Sequence, residues 1–179
     1  VVTIRLGVHP NIINSYNVNC KYLDNLLILR QSAIKIFFHG IIMPRRRLED
    51  LIIALAKVKE EIGRDVVLYI SGSMNHAKRA DPEYTEYIKK LIKTLGLERE
   101  ITFVGELSDA ELSYLYRHTD IFVWPCDKQT WGLAPLEAMF FGKVVIVSDG
   151  SGVSEVLNNR VAIVVPSRNP NALAKALIN

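Results

Sequence analysis

The sequence predicts an α/β fold whose sheet is doubly wound and mostly parallel. From residue 33 onward, short apolar runs alternate six times with amphipathic segments. Most of these runs are continuously apolar, which is typical of strands buried on both faces of a parallel sheet. Capping residues flank several of the segments between the runs. Alternation of strands with helices favours an open sheet with helices on both faces.

The predicted strands are the apolar runs, taken in chain order. Because they lack the period of two that a half-exposed strand shows, we expect both faces of the sheet to be covered. The runs are Ile34–Phe38, Val66–Ile70, Ile101–Val104, Ile121–Trp124, Val144–Val147 and Val161–Val165.

Helix caps and apolar stripes occupy the segments between these runs. Asp81–Pro82 predicts an N-cap followed by proline at the first helical position. Ser108 and Glu111 have the spacing of a capping box. Asn169–Pro170 begins a last helix, predicted to run through Leu177. Apolar side chains recur at helical spacing in two stripes: Leu48, Leu51, Leu55, Val58 and Ile62 before Gly63, and Tyr84, Ile88, Leu91 and Leu95 before Gly96.

The first 32 residues do not share this pattern. Val1–Leu6 is compatible with one more strand, but residues 11–25 contain five asparagines and no clean period. We therefore interpret residues 1–32 as an interdomain or peripheral segment and residues 33–179 as the folded domain. Because the chain begins with Val1 and not with methionine, we expect it to be a fragment of a longer protein.

Composition and charge narrow the functional class. Of the 179 residues, 49% are apolar, which is enough for one buried core and too little for two. A net charge of +3 does not indicate nucleic acid as a partner, and no apolar run approaches the roughly 18 residues of a membrane span. Cys20 and Cys126 cannot form a disulfide framework, so we expect a reducing, cytoplasmic setting.

Two loops that follow predicted strands have an unusual composition. Ligands bind where such loops lead into helices in open α/β sheets. Gly40–Arg47 ends in three arginines at the start of a helix, where positive charge is unfavourable unless an anion binds. A solvated basic turn, partly neutralised by Glu49 and Asp50, is the alternative interpretation.

In the second loop, Asp127–Met139, Gly132 allows close approach of a ligand to the backbone. Glu137 lies in the first turn of the next helix, where a carboxylate is favoured and can accept hydroxyl hydrogen bonds. The alternative is that Glu137 only caps its helix and that Trp131 belongs to the core. Asp149–Glu155 is a weaker, small-residue loop expected on the same rim.

The sequence also disfavours several classes of site. No G-x-G-x-x-G follows the first strand and no Walker pattern occurs, which argues against a dinucleotide or P-loop site. There is no metal-ligand cluster and no Ser-His-Asp set. Among the scattered histidines, His39 is a candidate because it ends a strand beside Gly40.

An ordered set of motifs resembles glycosyltransferase family 4. Gln129–Met139 resembles the E-x7-E motif of that family, usually written E-G-F-G-L-x-x-x-E-A-M. Gly40–Arg47 is similar to its G-R-L-x-P-x-K-G segment. The remaining matches, which extend the resemblance across residues 33–179, are Leu112–Pro125, Ser148–Leu157 and Asn169–Leu177.

The resemblance implies the carboxy-terminal, donor-binding half of a GT-B enzyme, in which two Rossmann-like domains face a cleft. It implies a retaining transferase that moves a sugar from a nucleoside-diphosphate sugar to an acceptor, without a cofactor or metal. The acceptor domain would then lie outside this chain, and the chain alone would be inactive. The acceptor (a sugar, a lipid-linked sugar or a protein glycan) stays open, as does contact with the inner membrane face through the other domain.

The resemblance also implies roles for individual residues. Glu137 matches the acidic position that binds the ribose hydroxyls, and Arg46 matches the lysine that contacts the donor phosphates. Gly132 and Leu133 match the loop whose amides approach the diphosphate, and Gly40 begins the phosphate segment. The base is expected near residues 105–107, and Glu155 is expected to give only structural support.

Three positions depart from the family pattern. Gln129 replaces the first glutamate, Ile41 replaces an arginine and Arg47 replaces a glycine. Gln129 cannot ionise, so we expect it to orient the donor sugar and not to act as a base. Arg45 or Arg47 is expected to supply the phosphate interaction that Ile41 cannot make. Catalysis would then rest on Gln129 for position and on Arg46 for stabilisation of the leaving diphosphate.

Two other hypotheses fit the sequence less completely. Gln129 and Ile41 favour a sugar-nucleotide-binding module that has lost catalysis. A non-hydrolysing sugar-nucleotide epimerase shares the GT-B layout, but this hypothesis does not explain the E-x7-E-like spacing.

Overall fold

A single parallel sheet forms the centre of the part that the computed structural model describes, namely residues 11–12, 20–73, 81–158 and 160–179. Its strands pair in the order β3-β2-β1-β4-β5-β6, and all of their pairings are parallel. The predicted α/β class is therefore confirmed. The strands are β1 (Ile34–His39), β2 (Val66–Ser71), β3 (Ile101–Gly105), β4 (Ile121–Trp124), β5 (Val144–Ser148) and β6 (Ile163–Val165).

Helices connect the strands, and the predicted caps hold their first turns. The Asp81 carboxylate accepts from the Tyr84 amide at 3.0 Å, and Ser108 and Glu111 form the reciprocal capping box. The helices are α1 (Lys21–Ile28), α2 (Leu48–Glu61), α3 (Pro82–Thr94), α4 (Asp109–His118), α5 (Ala134–Phe140) and α6 (Pro170–Ile178). Short 3₁₀ turns cover Pro44–Arg46 and Gly152–Glu155.

The sheet separates two apolar cores. Phe38 packs on the face covered by α2, α3 and α6, whereas Phe37 packs on the face covered by α1, α4 and α5. Both phenylalanine side chains are fully buried. Burying side chains of this size contributes about 1.5–3 kcal/mol each, so neighbouring residues of one strand stabilise opposite layers. This explains why the strand runs are continuously apolar.

Two elements differ from the sequence analysis. Helix α1 overlaps the end of the asparagine-rich region 11–25, where the sequence shows no clean period, and its Leu23 and Leu27 are buried against the sheet. Strand β6 begins at Ile163 and not at Val161, because Val161 is exposed and its amide bonds to Asn158 in a turn. The additional strand considered at residues 1–6 lies outside the described residues, and the domain boundary at residue 32 stays a prediction.

The strand order places a crevice between β1 and β4. The chain builds β1, β2 and β3 outward in one direction and then returns to place β4 on the other side of β1. Loops that follow two such neighbouring strands diverge toward opposite faces, and ligands of open α/β sheets bind in the crevice between them. The stretches 40–47 and 125–133 are those loops.

Glycine at position 72 lets the loops after β1 and β2 meet at this crevice. Gly72 has φ +137°, and a Cβ added there would lie 2.0 Å from the carbonyl oxygen of Gly40. No side chain fits at that distance, so only glycine permits this approach. The amide of Gly40 also donates to the carbonyl of Ser71 at 2.9 Å.

Candidate functional site

A cleft of about 410 Å³ opens at the carboxyl edge of the sheet, beside the β1–β4 crevice. Its volume falls in the range of small-molecule sites. It is lined by residues from the carboxyl ends of β1 and β4, from the loops after β1, β2, β3 and β4, and from the start of α5. The lining residues are His39, Gly40, Ile41, Arg46, Gly72, Ser73, Glu106, Leu107, Trp124, Leu133, Ala134 and Glu137.

Arg46 is the cation of this cleft. The 3₁₀ turn after β1 brings its guanidinium carbon to 4.6 Å from the centre of the Trp124 ring. Its Nη1 donates to Gln129 Oε1 at 3.2 Å and lies 3.6 Å from Cys126 Sγ. Its Nε is buried and has no hydrogen-bond partner within the described residues. The guanidinium is therefore fixed by neutral groups and a π face.

The other two arginines of the loop have different surroundings. Arg47 forms ion pairs with Glu49 at 2.6 Å and with Asp50 at 2.9 Å. The hydrogen bonds to Asp50 raise the pKa of Arg47. The neutralised-turn interpretation is thus correct for Arg47, and the expectation that Arg47 could stand in for the arginine missing at Ile41 is not supported. Arg45 is exposed, and its Nε lies 3.0 Å from the sulfur of Met43.

Gln129 lies on a loop that is attached to the loop after β5. Its amide donates to Gly150 at 3.2 Å, and its carbonyl accepts from the amide of Gly152 at 2.7 Å. A Cβ on Gly152 would lie 1.9 Å from the carbonyl oxygen of Thr130. The small residues of the stretch 149–155 therefore allow the loops after β4 and β5 to pair at the rim of the cleft. The sequence alone does not show this pairing.

Glu137 lies in the first turn of α5 and is buried while lining the cleft. The hydroxyl of Tyr116 donates to its Oε2 at 2.9 Å. Burial, and then the Glu137 charge, raises the pKa of Tyr116 well above its usual value, so this hydroxyl stays protonated and donating. The hydrogen bond from Tyr116 of α4 orients the Glu137 carboxylate. Glu137 therefore does more than cap its own helix.

Gly132 packs its backbone against the Trp124 indole. A Cβ on Gly132 would lie 3.0 Å from the indole Nε1, which itself donates to Ser151 Oγ at 3.2 Å. Leu133 follows and lines the cleft. Of the two tryptophans, Trp124 is buried and lies at the cleft, whereas Trp131 is half-buried.

His39 lies at the carboxyl end of β1 and lines the same cleft. Its Nδ1 is 2.7 Å from Ser71 Oγ. Desolvation, assisted by the positive charge of Arg46, lowers the pKa of His39 to about 4. The ring is therefore neutral at pH 7 and adds no charge to the cleft.

The structure thus brings together Gly40, Arg46, Leu133 and Glu137, with Gln129 joined to them through Arg46. Arg45 lies outside the lining, and the exposed Glu155 belongs to the 3₁₀ turn beyond Gly152. The sequence analysis did not identify Trp124, Tyr116 or Ser73, whereas Glu106 falls in the stretch 105–107 that it expected near the base. The only signal for Trp124 and Ser73 is position, since they lie at or just after strand ends.

Two further observations concern the described residues alone. No three His, Cys, Asp or Glu side chains within them are grouped to hold a metal ion. None of their helices is both long and apolar enough to cross a membrane. The expectation that no metal or cofactor is needed stays a prediction.

Residues 27–179 match the family model described as glycosyl transferases group 1. The chain belongs to this family. It is accordingly a domain of a glycosyltransferase family, and the resemblance seen in its motifs is confirmed at that level.

Known members of this kind are similar along nearly the whole chain. The uncharacterized glycosyltransferase MJ1607 of Methanocaldococcus jannaschii is 27% identical over 180 positions, covering 97% of this chain and 43% of that protein. The crystal structure of a glycosyltransferase from Rickettsia africae ESF-5 has a TM-score of 0.82 at 24% identity, covering 98% of this chain and 45% of that one.

A third similar structure is Anabaena Alr3699/HepE in complex with UDP-glucose. Its TM-score is 0.76 at 20% identity, and the match covers 92% of this group 1 chain and 44% of HepE. These structures show that the GT-B type of Rossmann-like fold is shared. The chain spans less than half the length of each of these three proteins.

Proposed function

We propose that this chain is the donor-binding domain of a retaining glycosyltransferase of the family 4 type. We further propose that its cleft holds a nucleoside-diphosphate sugar. The observation that carries the proposal is the convergence of Arg46 and Glu137. Arg46 comes from the loop after β1 and Glu137 from the first turn of α5, yet they line one cleft of about 410 Å³. A cation and a carboxylate placed together match the diphosphate and the ribose hydroxyls of such a donor.

The other residues of the cleft position the parts of the donor. The amides at Gly132–Leu133 approach the diphosphate, and Gly40 leaves the backbone open on the opposite side because it has no side chain. Arg45, on the exposed rim, is a second cation for the phosphates. The base lies against the wall formed by Glu106 and Leu107. The amide group of Gln129 orients hydroxyls of the donor sugar.

The transfer needs no protein nucleophile in this proposal. The bond between the sugar carbon and the diphosphate oxygen breaks, and the acceptor oxygen bonds to that carbon on the same face. The acceptor proton moves to the departing phosphate oxygen. Arg46 stabilises the charge that grows on the diphosphate, and the cleft holds the two reactants in place. Gln129, which cannot ionise, is compatible with this route.

The likeness to HepE agrees with this substrate class, because that protein was crystallised with UDP-glucose. We propose that a second domain binds the acceptor, that this chain alone does not transfer sugar, and that transfer takes place in the cytoplasm. A binding module without catalysis is the second candidate, favoured by Gln129 and Ile41. Sugar transfer by the complete protein would eliminate it.

Replacing Glu137 by glutamine tests the ribose role. Glu137→Gln keeps an oxygen for the Tyr116 hydroxyl, so we expect the fold to persist. Hydrogen bonds to a charged group contribute about 1.5–3 kcal/mol, and we expect the dissociation constant of a nucleoside diphosphate to rise about 10-fold to 100-fold. Calorimetric titration with UDP, ADP and GDP measures this change.

The control is Glu98→Gln, which removes a carboxylate from an exposed position outside the cleft. This variant should bind as tightly as the wild type. Inorganic pyrophosphate, which has no ribose, should bind Glu137→Gln at least as tightly as Glu98→Gln, because the substitution removes a negative charge from the cleft. Equal nucleoside-diphosphate affinity in Glu137→Gln and wild type would show that Glu137 does not hold the ribose.

A further inference from the structure

The side chain of Gln129 contacts the arginine that lines the cleft. Its side-chain oxygen lies 3.2 Å from Nη1 of Arg46, the cation of the site. We infer that Gln129 is a positioning residue for the diphosphate: its neutral amide holds the Arg46 guanidinium in place and leaves the positive charge uncompensated. This inference deepens the proposed function and rests on it.

The guanidinium is held on several sides by groups without charge. Gln129 Oε1 and Cys126 Sγ both contact Nη1, and the Trp124 ring lies beneath the guanidinium at 4.6 Å. Cys126 and Trp124 are buried, and desolvation raises the pKa of the Cys126 thiol to about 11, so the thiol stays neutral. The orientation of Arg46 is therefore fixed without an ion pair among the described residues.

The neighbouring Arg47 shows the alternative arrangement, in which carboxylates hold the guanidinium. Arg47 belongs to the same basic turn, but Glu49 and Asp50 lie 2.6 and 2.9 Å from its guanidinium and neutralise it. One arginine of the turn is thus a structural ion pair, and the other is a cation held by an amide. The difference follows from the partner residue and not from the turn.

The balance of charge in the cleft explains why an amide matters at position 129. The lining contains one arginine and the two carboxylic acids Glu106 and Glu137, while His39 is neutral at pH 7. A carboxylate at position 129 would form an ion pair with Arg46 and add a third acidic group near an anionic ligand. The amide fixes Arg46 and avoids both effects.

Arg46 retains donors for a phosphate in this arrangement. Nη1 is engaged by Gln129 and Cys126 and Nε is buried, whereas Nη2 makes no hydrogen bond within the described residues. Oε1 of Gln129 accepts from Arg46, and the side-chain NH₂ group provides donors for hydroxyls of the donor sugar.

The test compares Gln129→Glu with Gln129→Met in the 179-residue chain. The probes are inorganic pyrophosphate, UDP, ADP and GDP, together with the matching nucleosides, titrated by calorimetry at pH 7.5. We expect Gln129→Glu to raise the dissociation constants of pyrophosphate and of the nucleoside diphosphates at least 10-fold. Gln129→Met should raise them less than about 3-fold. Nucleoside affinity should not change in either variant.

The matched control is Gln31→Glu, because Gln31 is the other glutamine of the chain. It precedes β1 and is exposed at the opposite edge of the sheet. It adds the same charge far from the cleft, and binding should equal that of the wild type. Gln129→Asp serves as the second charged variant if Gln129→Glu does not fold.

A readout without ligand tests the interaction itself. In Gln129→Glu, pairing with Arg46 should lower the pKa of the new carboxyl below the ordinary value of about 4.3, as followed by carbon NMR. An unshifted pKa would overturn the inference. Equal losses in the Glu and Met variants would also overturn it, because charge would then not be the cause.

The outcomes separate this inference from the proposed function. Wild type that binds pyrophosphate but no nucleoside diphosphate, with pyrophosphate binding abolished in Gln129→Glu, would refute the proposed function and support the role of Gln129. Equal nucleoside-diphosphate binding by wild type and Gln129→Glu would overturn the inference alone. Wild type that binds none of these probes would overturn both.

Discussion

His39 is a histidine that the fold keeps uncharged at the edge of the candidate site. Its ring accepts or donates one hydrogen bond with Ser71 and faces the same cleft as Arg46. Desolvation is the larger cause of its low pKa, and the Arg46 charge adds to it. A cationic ring here would repel Arg46, so the neutral state is the one compatible with the native arrangement.

This predicts a pH dependence of folding with a definite sign. The pKa of His39 is about 4 in the folded state and about 6.5 in the unfolded chain. The unfolded state therefore binds more protons between these values, and stability rises with pH across the window and levels off above it. The stability that His39 contributes at pH 7 should fall by about 2 kcal/mol at pH 5.

Urea unfolding at pH 5, 6 and 7 measures this contribution. His39→Gln should flatten the profile relative to wild type, because glutamine does not titrate. The control His118→Gln, at an exposed position, should keep the wild-type slope. A His39→Gln profile that parallels the wild type would show that His39 titrates normally in the folded protein.

Much of the candidate site could be predicted at the residue scale, for a physical reason. Glycine, arginine and glutamate that follow an apolar run must lie at one edge of a parallel sheet, which placed Gly40, Arg46 and Glu137 together. The hydrogen bond between Arg46 and Gln129 could not be predicted, because it joins residues 83 positions apart. Trp124 was missed because a strand-terminal tryptophan looks like any core residue.

At the scale of elements, α4 supports the site from beneath. Its Tyr116 orients the Glu137 carboxylate, and its first turn is closed by the Ser108–Glu111 capping box. Hydrogen bonds from Ser108 lower the pKa of Glu111. That carboxylate therefore stabilises the folded state above its unfolded pKa, and the benefit disappears as pH falls toward the folded value.

Removing the cap predicts a loss of stability without a loss of binding. Ser108→Ala removes the acceptor for the Glu111 amide and should lower the free energy of unfolding by about 1 kcal/mol. Leu112 and Leu115 still anchor the helix, so nucleoside-diphosphate affinity should not change. Urea unfolding and calorimetry of the variant measure the two quantities.

Ser32→Ala provides the comparison, since Ser32 is exposed in the turn before β1. Its unfolding free energy should match that of the wild type. If Ser108→Ala unfolds at the same urea concentration as Ser32→Ala, the cap does not stabilise α4.

Local signals explain which elements were predictable. A cap, a proline and an apolar stripe are each recorded within a few residues, and one or more of these signals predicted α2, α3, α4 and α6. Helix α1 has only Leu23 and Leu27 as buried positions and overlaps the end of the asparagine-rich stretch. Its stability comes from packing on the sheet, which no local pattern records. The start of β6 was misplaced because an exposed turn also contains valine.

At the scale of the whole molecule, the strand order decides where chemistry can occur. The six apolar runs predict a parallel sheet, and the order β3-β2-β1-β4-β5-β6 adds the crevice beside β1. The residues that line the cleft come from the carboxyl ends of β1 and β4, from the four loops after β1 to β4 and from one helix. A cleft assembled this way forms only when the sheet forms, so binding and folding of this chain are linked.

That linkage separates binding from turnover in the 179-residue chain. A sugar nucleotide present at 100 times its dissociation constant should raise the free energy of unfolding by about 2.7 kcal/mol. The same solution should release no nucleoside diphosphate above the uncatalysed rate, whatever acceptor is added. The reason is that this chain carries the proposed donor-binding groups, whereas the proposed second domain binds the acceptor. Positioning of the acceptor supplies a large share of the rate.

Urea unfolding with and without UDP-, ADP- and GDP-sugars measures the first quantity, and chromatography of the nucleotide pool measures the second. Glu137→Gln should show a smaller stabilisation at the same sugar-nucleotide concentration, because its affinity is lower. Stabilisation without turnover matches a donor domain that needs its partner domain. Rapid sugar transfer by this chain alone would mean that acceptor and donor are both held at this one carboxyl edge, and the two-domain proposal would then be wrong.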